Sequence, residues 1–257
     1  MRHGWITLLL LACGLLGGCP VMQDQDTPVD PSHRTCAATD RPYYLYVPST
    51  YNPKLAYPVV ITLHGTFPWD TSVMQIMEWK ALAEKEQCIV VAPALNSAEG
   101  ILPVAWSLRK KTLDSDDTHI LAVLDELATT HTIDPSRVML SGFSAGGYAM
   151  YYTGLRHPER FSMLVARACN TDEKIFTTLT PTAAMQKLPI VIMVGKYDSV
   201  LQKHSWIAFR WLRTHGWTKE LAKRKEYEGG HLRRPEDAYE WWNPGLPGDP
   251  AAPKEPK

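Results

Sequence analysis

A serine flanked by glycines is the feature of this sequence best suited to covalent chemistry. Residues 142–147 read Gly-Phe-Ser-Ala-Gly-Gly, with an apolar run before them and a helix-like run after them. On a sharp turn between a strand and a helix, small residues two positions away on either side let the two elements pass closely. The amino end of the helix favours negative charge that develops in front of the serine. The pattern predicts that Ser144 is a nucleophile.

A serine hydroxyl needs a base that accepts its proton and an acid that orients the base. His231 comes after two glycines that follow the last predicted strand, and Asp198 comes after a strand predicted over residues 189–194. Side chains at the carboxyl edge of such a sheet lie where ligands bind. We therefore predict that His231 is the base and Asp198 the orienting acid. Asp172, which follows the preceding strand, is the alternative acid.

The same chemistry needs backbone N–H donors for the oxyanion that forms on the substrate. We predict that these are the amides of Ala145, next to the nucleophile, and of Thr66, which follows an early apolar strand. His64 is interpreted as a packing and hydrogen-bonding residue rather than a second base. His204 and His215 fall within a predicted helical region, so they compete poorly for the role of base.

Strand and helix patterns alternate along the chain. Apolar runs predict strands over residues 43–47, 57–63, 88–92, 138–140, 163–168, 189–194 and 224–227. Apolar spacing predicts helices over residues 71–87, 148–156, 205–216 and 235–242, one that begins at the N-cap Ser115, and one between residues 170 and 188. This alternation predicts an α/β fold with a mostly parallel central sheet and helices on both faces.

Composition excludes several classes of function. Lys plus Arg and Asp plus Glu both number 27, so no net charge draws the chain to nucleic acid. The sequence contains neither a His-Glu-x-x-His zinc motif nor a phosphate-binding Gly-x-x-x-x-Gly-Lys loop. We expect no metal, no cofactor and no nucleic-acid partner, and we expect a monomer.

The N-terminus resembles the export signal of bacterial lipoproteins. Residues 1–18 have a short positive start and an apolar run of about a dozen residues, too short to cross roughly 30 Å of hydrocarbon. The run ends in Leu16-Gly17-Gly18-Cys19. The resemblance implies lipid attachment at Cys19, contact with the membrane through that lipid, and a location in the cell envelope on the periplasmic or extracellular side. An ordinary signal peptide is the alternative.

The remaining chain divides into three parts by composition. Residues 19–33 are polar and form a predicted tether, residues 34–243 the folded domain, and residues 244–257 a proline-rich disordered tail. Export implies an oxidising compartment in which disulfides persist. Among Cys36, Cys88 and Cys169, one pair and one free thiol are expected, with Cys36 and Cys88 the preferred pair.

The segment between Arg41 and Trp242 resembles the polyhydroxybutyrate-depolymerase and feruloyl-esterase branch of the α/β-hydrolases. The matching pieces are the turn at Ser144, Tyr44-Leu45-Tyr46-Val47-Pro48, Leu63-His64-Gly65, Trp106 ahead of Asp116-Asp117, and Ile133-Asp134-Pro135-Ser136-Arg137-Val138. The resemblance implies hydrolysis of short hydroxyacyl or aromatic acyl esters, small or polymeric, without a cofactor. The sequence differs from the depolymerase-like pattern at Thr66, where cysteine is common.

Two other functions fit the same residues. A serine peptidase of the prolyl-oligopeptidase type shares the fold and the three catalytic residue types. A catalytically silent surface-binding protein on the same scaffold is the other, and it would have no need of Ser144, Asp198 and His231 together. Since residues 170–188 leave too little chain for the large lid of many lipases, we expect an open cleft.

Overall fold

A mixed sheet of eight strands lies at the centre of residues 26–99 and 105–245, the parts of the chain that this computed structural model describes. The strands are β1 (Ser32–Cys36), β2 (Arg41–Tyr46), β3 (Tyr57–Leu63), β4 (Ile89–Pro93), β5 (Ile133–Phe143), β6 (Met163–Arg167), β7 (Ile190–Gly195) and β8 (Ala222–Tyr227). Their order is β1-β2-β4-β3-β5-β6-β7-β8. The pairs β1–β2 and β2–β4 are antiparallel, and the other five pairs are parallel. This confirms the predicted, mostly parallel sheet.

Helices cover both faces of this sheet. They are α1 (Ser72–Glu86), α2 (Trp106–Thr130), α3 (Gly146–Arg156), α4 (Glu173–Thr177), α5 (Ala183–Lys187), α6 (Ser199–Thr214) and α7 (Pro235–Trp242). One apolar cluster joins the sheet to α2, α3 and α6, and a second joins its other face to α1 and α7. The sheet is therefore the middle of three layers.

Strand β3 shows why the central strands read as unbroken apolar runs. All its residues are buried. Ile61 and Leu63 face the first cluster and Val60 faces the second. Burial on both faces favours apolar residues, and each such side chain contributes about 1.5–3 kcal/mol. The polar residue of the strand, Thr62, is buried with its hydroxyl donating to Gln75 Oε1 at 2.8 Å. The well-buried strand fixes the position of His64, which follows it directly.

Helix α2 begins at Trp106, so the prediction that a helix starts at Ser115 is wrong. Asp116, which follows Ser115, binds a loop instead of a helix end. The carboxylate of Asp116 is fully buried and accepts hydrogen bonds from the backbone amides of Asn96 (2.9 Å) and Ser97 (2.8 Å). It stabilises the loop after β4 rather than the amino end of a helix.

Other boundaries differ from the sequence interpretation, and β5 spans Ile133–Phe143 where the apolar run predicted residues 138–140. Helix α6 begins at Ser199, earlier than predicted, because Asp198 is its N-cap. Residues 170–188 hold two short helices, α4 and α5, instead of one. Strand β1 was not predicted, since its polar residues are largely exposed at the sheet edge. Its first two residues, Ser32 and His33, lie within the expected tether.

The predictions for the N- and C-terminal ends fall mostly on other residues. The signal at residues 1–18, the lipid-attachment residue Cys19 and residues 246–257 of the predicted tail lie outside the described residues. Within the described ranges, no helix has both the length and the apolar character needed to cross a membrane.

The predicted pairing of cysteines is wrong. Cys36, Cys88 and Cys169 are all buried and free. Cys36 belongs to the apolar cluster on one face of the sheet and Cys88 to the cluster on the opposite face. The sheet separates the two thiols, so they pack as small apolar side chains.

Candidate active site

Ser144 lies on the turn between β5 and α3 with a positive φ of 49°. A residue other than glycine in this conformation costs about 1–3 kcal/mol and needs support from its surroundings. The loop after β6 supplies that support. The amide of Ser144 donates to the carbonyl of Arg167 at 3.2 Å, and the carbonyl of Ser144 accepts from the amide of Asn170 at 2.8 Å. The turn is thus held by the neighbouring strand.

Close backbone contact explains the glycine two positions after the serine. A Cβ atom at Gly146 would lie 2.5 Å from the carbonyl oxygen of Leu63 and 2.7 Å from that of His64. Neither backbone oxygen can move away easily, because Leu63 is the last residue of the buried strand β3 and His64 follows it directly. Only glycine lets α3 begin directly against β3, as the sequence pattern predicted.

His231 and Asp198 meet at the same edge of the sheet. The imidazole Nδ1 lies 2.6 Å from Asp198 Oδ2, and the other carboxylate oxygen accepts from the amide of Leu201 at 3.1 Å. The imidazole also packs on Phe143, with ring centroids 4.8 Å apart. This contact places the His231 ring against Phe143, the residue that immediately precedes Ser144. With Nδ1 donating to the carboxylate, Nε2 is left as the proton acceptor.

The hydroxyl of Ser144 donates to Asn170 Oδ1 at 3.5 Å. This distance is at the outer limit for a hydrogen bond between two oxygen atoms. Sequence reasoning missed Asn170, although a signal existed. Asn170 is a polar residue shortly after the buried strand β6, just as Asp198 is shortly after β7.

The alternative acid and a competing histidine have other partners. Asp172 is the N-cap of α4, accepts from the amide of Lys174 at 2.9 Å, and lies 3.9 Å from the guanidinium of Arg109. His204 Nδ1 lies 3.0 Å from the amide nitrogen of Thr171. The structure therefore brings Asp198 and His231 together and gives Asp172 and His204 separate roles.

The predicted oxyanion donors belong to Ala145, which follows Ser144, and to Thr66, whose neighbour Gly65 lies against Ser144. Ala145 follows it at the amino end of α3, where backbone N–H groups lack helical acceptors. Thr66 follows Gly65, and a Cβ atom at Gly65 would lie 3.1 Å from Ser144 Cβ. The loop after β3 thus approaches the nucleophile from across the sheet edge, while Ala145 approaches it along the chain.

His64 supports this loop. Its Nε2 accepts from the amide of Leu95 at 2.9 Å, so its Nδ1 carries the proton and donates to the carbonyl of Gly65 at 2.8 Å. Burial lowers the pKa of His64 and keeps the ring neutral. These bonds agree with the interpretation of His64 as a packing and hydrogen-bonding residue.

A nucleophile, an oriented imidazole and two amides can carry out acyl transfer. In the ranges that the structure covers, no group of three or more His, Cys, Asp or Glu side chains is placed to hold a metal ion.

The strand order, the helices on both faces and the serine turn after β5 define the α/β-hydrolase fold. A thermostable esterase has a similar structure, with a TM-score of 0.60 and 20% identity over 83% of this chain and 62% of that one. A ferulic acid esterase of Anaeromyces mucronatus, solved with ferulic acid, gives a TM-score of 0.61 and 17% identity over 80% and 87% of the two chains. These likenesses confirm the fold.

Two sequence comparisons each match part of the chain. Residues 104–189 match the model of the prolyl oligopeptidase family, a segment that contains Ser144 and ends before Asp198. A bifunctional acetylxylan esterase/xylanase of Neocallimastix patriciarum is 28% identical over 161 residues, which are 63% of this chain and 22% of that protein. This chain thus matches about a fifth of that relative's length. The matching family model is thus named for a peptidase, whereas the relative and the two similar structures carry esterase names.

Proposed function

We propose that this protein hydrolyses carboxylic esters through an acyl-enzyme. The observation that carries the proposal is the contact of 2.6 Å between Asp198 and His231 beside a serine held on a strained turn. Three catalytic residue types that are distant in the sequence meet at one edge of the sheet. The esterase activities of the similar proteins support the same reaction.

In this proposal each group has one step. His231 Nε2 takes the proton from Ser144 as its oxygen attacks the ester carbonyl carbon, and Asp198 stabilises the imidazolium that forms. The amides of Thr66 and Ala145 donate to the oxyanion. When the carbon–oxygen bond to the alcohol breaks, His231 returns the proton to the departing alkoxide. Water then attacks the acyl-enzyme by the same route and releases the acid and free Ser144.

Short or aromatic acyl esters are the substrates we propose, and they include short hydroxyacyl esters. The loop that carries Thr66 also carries Phe67 and Trp69, whose exposed fractions are 53% and 50%. Half-exposed aromatic rings beside a reaction site provide flat apolar surface for an aromatic acyl or alcohol group. The proposed substrate is a small or a polymeric ester. The relative from Neocallimastix patriciarum is a bifunctional acetylxylan esterase/xylanase, and the similar structure solved with ferulic acid is a ferulic acid esterase.

A panel of esters tests the reaction and the substrate class together. Helices α4 and α5 have five residues each and leave little chain for a lid over residues 170–188. A long acyl chain would stay partly in water and forfeit about 0.8 kcal/mol for each CH₂ left unburied. We expect nitrophenyl acetate, methyl ferulate and a hydroxybutyrate oligomer to be cleaved faster than nitrophenyl palmitate, without a rate increase at the substrate's solubility limit.

The same panel separates the competing functions. The match to the prolyl oligopeptidase family favours a peptidase as the second candidate, so the panel includes an aminoacyl-proline amide. Faster cleavage of the amide than of every ester would make the protein a peptidase. Reaction with none of them, together with no labelling by a fluorophosphonate probe, would indicate a silent scaffold.

Our proposal also places the protein in the cell envelope, with lipid on Cys19. In a bacterial host, the mature chain is expected to begin at Cys19 and to partition into detergent, because the acyl chains of the diacylglycerol insert into the apolar phase. Cys19→Ser is expected to release or stall the protein. Cys13→Ser is the matched control, since Cys13 lies within the apolar run of the signal. An unmodified mature N-terminus at any other residue contradicts this location.

A further inference from the structure

A buried carboxylate connects two loops of the candidate site. Asp70 Oδ2 accepts from the amide of Gly65 at 2.6 Å and from Gln75 Nε2 at 2.7 Å. Its other oxygen accepts from the guanidinium of Arg233 at 3.2 Å. The side chains of Asp70 and Arg233 are each only 4% exposed. One carboxylate thus joins the loop that carries Thr66 to the loop that carries His231.

On the first side, the backbone around Thr66 is held on three peptide groups. Asp70 binds the N–H of Gly65 through its side chain and the carbonyl of Thr66 through its own amide, at 3.0 Å. His64 binds the carbonyl of Gly65. The carbonyl of Gly65 and the N–H of Thr66 belong to one planar trans peptide and point in opposite directions. Fixing the carbonyl therefore fixes the direction of the N–H. The orientation of the predicted oxyanion donor therefore depends on Asp70 and His64.

On the second side, Arg233 follows His231 by two residues and is held at both its side chain and its backbone. Its guanidinium binds Asp70, and its carbonyl accepts from Arg167 at 3.3 Å. The guanidinium also lies 5.3 Å from the ring centroid of Phe143, the ring on which His231 packs. Movement of Arg233 would therefore move the loop that holds the imidazole.

Glu78, a second carboxylate near Arg233, supplies a control variant. Glu78 Oε2 lies 3.9 Å from the guanidinium groups of both Arg167 and Arg233. Among the described residues this oxygen has no hydrogen-bond partner. Burial raises the pKa of Glu78 to about 7, so the group is largely ionised at an assay pH of about 8. Glu78 thus shares Arg233 with Asp70 but lies farther from its guanidinium, at 3.9 Å against 3.2 Å.

We propose that Asp70 is a positioning residue for catalysis, which sets the Thr66 amide and the His231 imidazole at a fixed separation around Ser144. The assignment of the reacting groups rests on the proposed ester hydrolysis. In Asp70→Asn, a single carbonyl oxygen cannot accept from both Gly65 and Arg233, and the new NH₂ group faces a donor. The two loops then lose their common partner.

The test compares Asp70→Asn with Glu78→Gln, which makes the same chemical change in the same cluster. We expect kcat per fluorophosphonate-titrated site to fall about 10²-fold in Asp70→Asn while KM changes less than about threefold, because a small misplacement of reacting groups has this effect. The inhibition constant of a trifluoromethyl ketone, whose adduct carries an oxyanion, is expected to rise by a similar factor. Glu78→Gln is expected to stay within about threefold of the parent in all three values.

Equal losses in the two variants, or an unchanged kcat in Asp70→Asn, would overturn the proposal. If Asp70→Asn does not fold, Arg233→Lys decides, since it keeps the charge and shortens the reach; about a tenfold loss of kcat at constant KM is expected. The labelling rate of the probe separates this proposal from the proposed function. If the parent labels but cleaves no ester, ester hydrolysis fails, and slower labelling of Asp70→Asn still supports positioning.

Discussion

Replacement of Ser144 by alanine is expected to lower kcat by roughly 10⁴-fold or more and to abolish fluorophosphonate labelling. The reason is chemical, because alanine has no oxygen to attack the ester or the phosphorus atom. The fold should persist. Alanine tolerates the φ of 49° at this turn no worse than serine does, and the backbone bonds to Arg167 and Asn170 do not involve the side chain. Thermal unfolding and circular dichroism should therefore match the parent.

Ser136→Ala is the matched control for this result. Ser136 lies on the same strand, β5, but at its exposed opposite end. The control is expected to label and turn over like the parent. Labelling of Ser144→Ala at the parent's rate would move the nucleophile to another residue and remove the basis of the proposed function.

The elements that place the nucleophile could be predicted from the sequence because their causes are local. Strand β3 is buried on both faces, so its apolar run matches its boundaries at Tyr57–Leu63. The glycines around Ser144 are required by contacts with the end of β3 and with the turn itself. A residue type that local geometry demands leaves a pattern in the sequence.

Other parts of the structure depend on contacts that sequence spacing does not reveal. The edge strand β1 is polar because one side of it meets water. Asp116 looks like a residue of a helix start, but its partners are amides in the loop after β4. Asp70 and Arg233 are 163 positions apart. Only the folded sheet, which brings the carboxyl ends of its parallel strands to one edge, explains why these residues meet.

Asp198 has two tasks that one substitution can separate. One carboxylate oxygen binds the His231 imidazole, and the other caps α6 through the amide of Leu201. Asparagine is as good an N-cap as aspartate. The variant Asp198→Asn should therefore keep α6 intact and show an unfolding temperature close to that of the parent.

Asp198→Asn is expected to lower kcat about 10⁴-fold with little change in KM, the loss known for the matching change in the serine protease triad. An asparagine NH₂ that faces Nδ1 makes Nδ1 a hydrogen-bond acceptor and leaves the imidazole proton on Nε2. A protonated Nε2 cannot accept the proton of Ser144. Asp172→Asn, which keeps the cap of α4, is the control and should retain parental kcat. A large loss in Asp172→Asn and none in Asp198→Asn would transfer the acid role to Asp172, and the contact of 2.6 Å would then have no catalytic meaning.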